Sequence, residues 1–248
     1  MFEERIYVSN IQRPSEKIMC EVLIVIPALN EAMSIGSVID AINNALAGID
    51  HRILVVDGNS TDGTDHIAAS KGAIVIYQEG KGYGNALMTG FVYGKTNTTA
   101  EILVMLDADL TYDPNDLLRL LDPVFKGEAD MVIGNRFAGM QKGAMTTINK
   151  FGNRIISWLV RILLGVDVHD TQCGMRVFST HLVDVLRCKN DGMAFATEML
   201  VYTKNAGARI MEVSIRYMPR VGKSKLNPLK DGAKILGTIV KLIFDSYR

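Results

Sequence analysis

The chain has 248 residues, 48% of them hydrophobic and 22% charged, a composition that folds and is long enough for one large domain with a substantial core. Lysine plus arginine and aspartate plus glutamate both total 27, so the formal net charge is zero and the basic excess of a nucleic-acid-binding protein is missing. Three cysteines, Cys20, Cys173 and Cys188, without a C-x-x-C spacing, exclude a disulfide framework and a structural zinc site and favour a reducing compartment.

Residues 1–20 read as a polar extension with no apolar signal core. No run reaches the roughly 18 apolar residues that a spanning helix needs, so a soluble or peripheral chain is expected. A rhythm then begins. "EVLIVIP" (21–27) is a short apolar run, and a helical pattern follows over 31–47. "RILVVD" (52–57) is the second run, with helix after Asp62, and "AIVIYQ", "EILVMLD" and "ADMVIGNR" continue the alternation. Short Val- and Ile-rich runs separated by helices predict β-α-β units and a mainly parallel sheet, whose ligands bind at the carboxyl ends of the strands.

Those ends carry the candidate site. Asp57 closes the second strand, Asp107 and Asp109 follow the fourth, and Glu31 lies in the loop after the first, so acids mark three of five ends. Past about residue 144 the rhythm changes. "FGNRIISWLVRILLGV" (151–166) is strongly apolar, with Arg154 and Arg161 on one helical face. "DTQCGMRVF" (170–178) follows, then a helical pair and a strand over 208–219. The chain ends with a basic loop, "RVGKSKLNPLKDG", and a segment (233–248) that mixes apolar residues with Lys234, Lys241 and Arg248.

In an extended segment residues two apart point the same way, so Asp107 and Asp109, separated by Ala108, would share one pocket and offer carboxylate oxygens to a hard divalent cation. "DGNSTDGT" (57–64) has turn-forming residues and an N-cap candidate in Asp62; an EF-hand reading fails, because Gly63 is one position late and Ala68 stands where the closing Glu belongs. Asp57 remains available to accept hydrogen bonds from a base or ribose. "EGKGYGNAL" (79–87), with Lys81, is a glycine-rich entry to a helix, suited either to a turn or to phosphate contact; it lacks Walker spacing. His51, His66, His169 and His181 show no metal-ligand spacing, and the cluster Arg220, Lys223, Lys225 and Lys230 is either a solvated face or a phosphate partner.

Together, "VIPALNE", "VVDGNSTDGT", "GKGYGNAL", "MLDADLTYDP", "GNRF", "DTQCGMRVF" and "RVGKSKLNPLKDG" resemble, in order over roughly residues 20–232, family 2 glycosyltransferases of the GT-A fold. The likeness is to dolichyl- and polyprenyl-phosphate mannosyl- and glucosyltransferases. The resemblance implies a Rossmann-like α/β domain over 21–232, with a mainly parallel central sheet flanked by helices, and a C-terminal amphipathic helix over 233–248. It implies that Pro27, Leu29, Glu31, Val55 and Asp57 hold the nucleotide's base and ribose, and that Asp107, Ala108 and Asp109 hold donor and metal, with Thr111 as a further ligand. Arg136, Arg220 and Lys225 would hold phosphates, with Lys81 beside the donor. Two departures stand out. Leu29 replaces an aromatic residue of mannosyl enzymes, and "DTQCGMR" replaces their "TSGFR", which favours a UDP-sugar over GDP-mannose.

The implied activity is inverting transfer of a hexose from a nucleotide sugar to a polyprenyl phosphate, assisted by Mg2+ or Mn2+ at Asp109 and Asp107. An acceptor phosphate is already anionic, so no general base is needed. The helical segments 151–166 and 233–248 read either as ordinary core-packing helices with a basic outer face or as helices that lie in the head-group layer and hold the protein on the cytoplasmic face of the membrane. Alternatives are a soluble sugar transferase acting on a small phosphorylated acceptor, or a non-catalytic nucleotide-sugar-binding subunit. Oligomeric state is left open.

Overall fold

The computed structural model describes residues 16–221 and 228–246. Seven strands form one sheet in the order β3-β2-β1-β4-β6-β5-β7: β1 Val22–Ala28, β2 His51–Asp57, β3 Ile74–Tyr77, β4 Ile102–Met105, β5 Met131–Met140, β6 Arg176–Ser179 and β7 Ile210–Tyr217. The helices are α1 Ile35–Ala45, α2 Thr64–Ser70, α3 Tyr83–Asn97, α4 Leu117–Phe125, α5 Thr147–Leu164, α6 Phe195–Asn205 and α7 Pro228–Ser246.

The apolar runs become strands because both faces are covered. In β1 nearly every side chain is buried, and β2 is buried from Ile53 to Asp57. α1 closes one side with Ile35, Val38, Ile39 and Ile42 at helical spacing. α3 lies closer still. A Cβ on Gly90 would stand 2.3 Å from Val25, and one on Gly94 2.7 Å from Leu23, so these glycines bring the helix backbone onto β1.

The sheet is mainly parallel, as expected, with β6 running antiparallel between β4 and β5. β1 pairs with β2 on one side and β4 on the other, and the crevice beyond their carboxyl ends is the switch point where ligands of such sheets bind. Three expectations shift. The polar extension is shorter than 20 residues, since the Ile18 N–H donates to Asn97 and Cys20 is buried in the core. The helical pair after Phe178 is a six-residue 3-10 turn, Thr180–Val185, followed by α6. The final helix starts at Pro228, ahead of the expected residue 233, because a proline is well tolerated in a first turn. Cys20, Cys173 and Cys188 are free thiols.

Candidate active site

β4 stops at Met105, so the two acids do not sit in an extended strand as expected. They lie in a turn in which Leu110 adopts a left-handed backbone (φ 60°), a conformation that costs a branched residue energy and recurs at functional turns. Ala108 is buried in the core between them. Asp109 is buried, and its Oδ1 accepts from the Thr111 N–H (3.1 Å) and the Thr111 hydroxyl (2.6 Å). Thr111 was expected to bind metal directly. Its hydroxyl donates to the Asp109 carboxylate and helps to fix it.

Asp107 accepts from the Tyr83 hydroxyl at 2.8 Å. It keeps a partly exposed edge, yet burial raises its pKa, and the neighbouring Asp109 charge raises it further, to about 6. Gly174 explains the fit: a Cβ there would stand 2.3 Å from Asp107 Oδ2 and 3.0 Å from the Tyr112 hydroxyl. The Gly174 N–H donates to that hydroxyl at 2.7 Å. Among the described residues no three His, Cys, Asp or Glu side chains gather into a metal cage. Two carboxylates opening on a crevice nevertheless suit a hard divalent ion that keeps waters and takes substrate phosphate oxygens.

Arg220 closes this rim. Its Nη1 lies 2.9 Å from Asp109 Oδ2 and its Nη2 2.7 Å from Glu31 Oε1, so one guanidinium joins the loops after β1 and β4. It arrives there because the segment after β7 pairs with the acidic turn. Met218 N–H donates to the Thr111 carbonyl, and Val221 N–H to that of Asp109. Arg220 Nε is buried without a partner among the described residues.

Arg136 was expected to face phosphate. It is buried and forms a two-pronged pair with Asp170, Nε and Nη2 both at 2.7 Å, while its backbone N–H donates to the same carboxylate at 3.0 Å. Its guanidinium lies 5.3 Å from the Tyr217 ring centroid. Burial works against the charge, but Asp170 more than offsets this and holds the Arg136 pKa above its ordinary value. Arg136 thus organises the floor of the site, and its charge reaches Asp107 through space.

At the β2 end, Asp57 is fully buried. Its Oδ1 accepts from the Ser60 N–H at 2.7 Å, whereas Oδ2 has no partner among the described residues. A buried carboxylate oxygen without a donor is costly unless a ligand supplies one. Pro27 is partly buried and Leu29 is exposed beside it, both in reach of the crevice mouth. Val55 lies wholly buried within β2, two residues before Asp57.

The glycine-rich turn is also reread. A Cβ on Gly82 would stand 2.2 Å from the Asp191 carbonyl oxygen, and one on Gly84 2.2 Å from that of Asn190. The Gly84 N–H already donates to Asp191 at 2.8 Å. The glycines therefore seat α3 against a neighbouring loop and aim Tyr83 at Asp107. Lys81 is exposed at the head of this helix. Lys223 and Lys225 lie outside the described residues.

Tyr83, Tyr112, Asp170 and Gly174 were not singled out individually, although each stands in a quoted motif. Asp170 had a signal, since a buried arginine requires a carboxylate and "DTQ" opens with one. Arg176 is fully buried, and its three guanidinium bonds go to the carbonyls of Cys173, Ala196 and Thr171.

With this geometry in hand, a model of the family "Glycosyl transferase family 2" matches residues 23–186. The chain is 37% identical over 212 residues to the low-salt glycan biosynthesis hexosyltransferase Agl6 of Haloferax volcanii, covering 84% of this chain and 50% of that protein. It therefore spans about half that relative's length. It is 35% identical over 228 residues to a dolichyl-phosphate hexose transferase of the same organism, covering 91% and 95% of the two chains. An undecaprenyl-phosphate mannosyltransferase of Micrococcus luteus is 32% identical over 220 residues, covering 83% and 87%. Among solved structures, glucosyl-3-phosphoglycerate synthase from Mycobacterium tuberculosis, in complex with Mn2+, UDP and glucosyl-3-phosphoglycerate, shares the fold. Its TM-score is 0.72 at 24% identity, covering 90% of this chain and 80% of that one.

Proposed function

Because the chain belongs to glycosyl transferase family 2, we propose that it moves a hexose from a nucleotide sugar, of the UDP kind, to a polyprenyl phosphate. The geometric observation that carries the donor half is Asp57 Oδ2, which is buried without a partner among the described residues at the rim that Asp107 and Asp109 complete. The lipid-phosphate acceptor rests on the two relatives with polyprenyl-type acceptors in their names.

In this reading Asp57 accepts a ring N–H of the base or a ribose hydroxyl, and the exposed Leu29 covers the base edge. Asp109 and Asp107 hold Mg2+ or Mn2+, which when bound neutralises charge on the departing diphosphate. Thr111 keeps the Asp109 carboxylate turned outward, and Tyr83 does the same for Asp107. Arg220 and Lys225 hold phosphate oxygens, with Arg136 lending positive potential from below. An acceptor phosphate oxygen attacks the anomeric carbon as its bond to the diphosphate breaks. The anomer inverts, and no protein base is required. The protein works peripherally on the cytoplasmic face of the membrane, where a sugar nucleotide can meet a lipid-linked phosphate.

The test combines one variant with one panel. Asp109→Asn should lose turnover by about 100-fold or more with its circular dichroism unchanged; near-normal turnover overturns the metal assignment. UDP- and GDP-sugars are offered with Mn2+ and either a polyprenyl phosphate or 3-phosphoglycerate, and products are read by mass. Transfer to the small phosphate alone replaces the lipid reading with that of a soluble acceptor.

A further inference from the structure

Asp170 is held from two sides. Its carboxylate accepts three bonds from Arg136 of β5. Its backbone is held by Glu212 of β7, the strand that pairs with β5. One Glu212 oxygen, Oε1, accepts the N–H of His169 at 2.9 Å and that of Asp170 at 2.8 Å. The other, Oε2, meets the His169 ring Nδ1 at 2.9 Å. The His169 side chain is 59% exposed, so this last contact contributes little. Asp170 is wholly buried, so water cannot readily replace Glu212 as the acceptor for its N–H.

The rest of this loop has other anchors. The Thr171 N–H donates to the Ser157 hydroxyl at 3.0 Å, the Gln172 amide reaches the Thr197 hydroxyl at 2.9 Å, and the Gly174 N–H goes to Tyr112. At His169 and Asp170 the acceptor is Glu212. Exchanging a buried arginine–aspartate pair for apolar residues often leaves a protein as stable or more so. Stability therefore does not account for a second carboxylate placed behind the first. Position does. The Arg136 guanidinium is bounded by Asp170 and by the Tyr217 ring, 5.3 Å away at its centroid, and its charge bears on the acid turn. A loop released at residue 170 would carry that charge elsewhere.

We propose that Glu212 is a positioning residue for the transfer step: by fixing the backbone of Asp170 it fixes the carboxylate that aims Arg136 beneath the departing diphosphate. Glu212 acts through Asp170 and Arg136 and touches no reacting atom. The inference rests on the transferase reading for what the Arg136 charge serves, whereas the placement of Arg136 is measured without any substrate. Charge on the diphosphate grows as its bond to the sugar breaks. A displaced guanidinium therefore costs rate more than it costs ground-state binding.

Glu212→Gln keeps an oxygen for both N–H groups, and Glu212→Leu removes it. The leucine variant should lose kcat roughly tenfold or more with KM for the sugar nucleotide within about twofold, and the glutamine variant should stay within about twofold of the unaltered protein. In an Arg136→Lys background, where the two-pronged pair is already lost, Glu212→Leu should cost less than about twofold further. The second readout is the Arg136 Nε–H signal in substrate-free protein carrying isotope-labelled arginine, assigned by its absence from Arg136→Lys. It should shift and exchange faster with solvent in the leucine variant and stay in place in the glutamine variant. Should Glu212→Leu fail to fold, Glu212→Asp, one methylene short of the two N–H groups, takes its place with the same expectations. A lower melting temperature with additive kinetics and an unmoved Nε–H signal overturns the proposal, as does a glutamine variant as slow as the leucine one. A moved signal, with no hexose transfer by the unaltered protein to any acceptor, sinks the transferase reading and leaves the hold of Glu212 on Arg136 standing.

Discussion

The pKa of Asp107 is raised to about 6, first by burial and then by Asp109, against 3.8 for an unperturbed carboxyl. Between those values the folded chain holds a proton that the unfolded chain has lost. Stability therefore falls as pH rises through that window and stays lower above it. An asparagine removes this loss while keeping an acceptor for Tyr83. Asp107→Asn should melt a few degrees above the unaltered protein near pH 7.5 in chelator, and at the same temperature below about pH 4. Mn2+ should raise the melting temperature of the unaltered protein but not of the variant; equal stabilisation of both would remove Asp107 from the metal site. The sequence displayed the acid pair openly, because charge at the end of an apolar strand is conspicuous. What it hid was their unequal treatment, since Tyr83, Thr111 and Gly174 act through contacts that spacing alone cannot show.

The strands were legible in the sequence for a physical reason: burial on both faces leaves only apolar residues, and such runs stand out between helical stretches. The antiparallel insertion of β6 was not, because four residues carry no sign of direction. Nor was the purpose of "GKGYG" visible. Glycines that admit a phosphate and glycines that admit a neighbouring carbonyl look alike, and only the approach of Asn190 and Asp191 to Gly84 and Gly82 separates them. Gly84→Ala must push α3 off that loop by about an ångström, and overpacking of this kind costs about 1–3 kcal/mol. It should also carry Tyr83 away from Asp107. Melting temperature and turnover should fall together, whereas Tyr83→Phe should lower turnover with a smaller thermal effect. Full turnover in a destabilised Gly84→Ala protein would show that the turn serves packing alone.

At the scale of the molecule the fold is GT-A, and its crevice is built from segments far apart in the chain. Glu31 follows β1, Asp109 follows β4, and Arg220 follows β7, so a single guanidinium ties the loops after the two central strands to the segment that leaves the edge strand. The sequence named all three residues but could not join them, for a separation of 189 positions between Glu31 and Arg220 leaves no trace of the contact. That contact has a consequence for cation binding. The positive charge 2.9 Å from Asp109 Oδ2 competes with a divalent ion for the same oxygen. A diphosphate arriving with the metal would give the guanidinium another partner, and its buried Nε has none among the described residues. Arg220→Met should therefore bind Mn2+ alone more tightly than the unaltered protein, by calorimetry, yet lose turnover by about 100-fold, as loss of a donor to a charged transition state does. Weaker Mn2+ binding in that variant would mean that Arg220 shapes the carboxylates rather than competing for them.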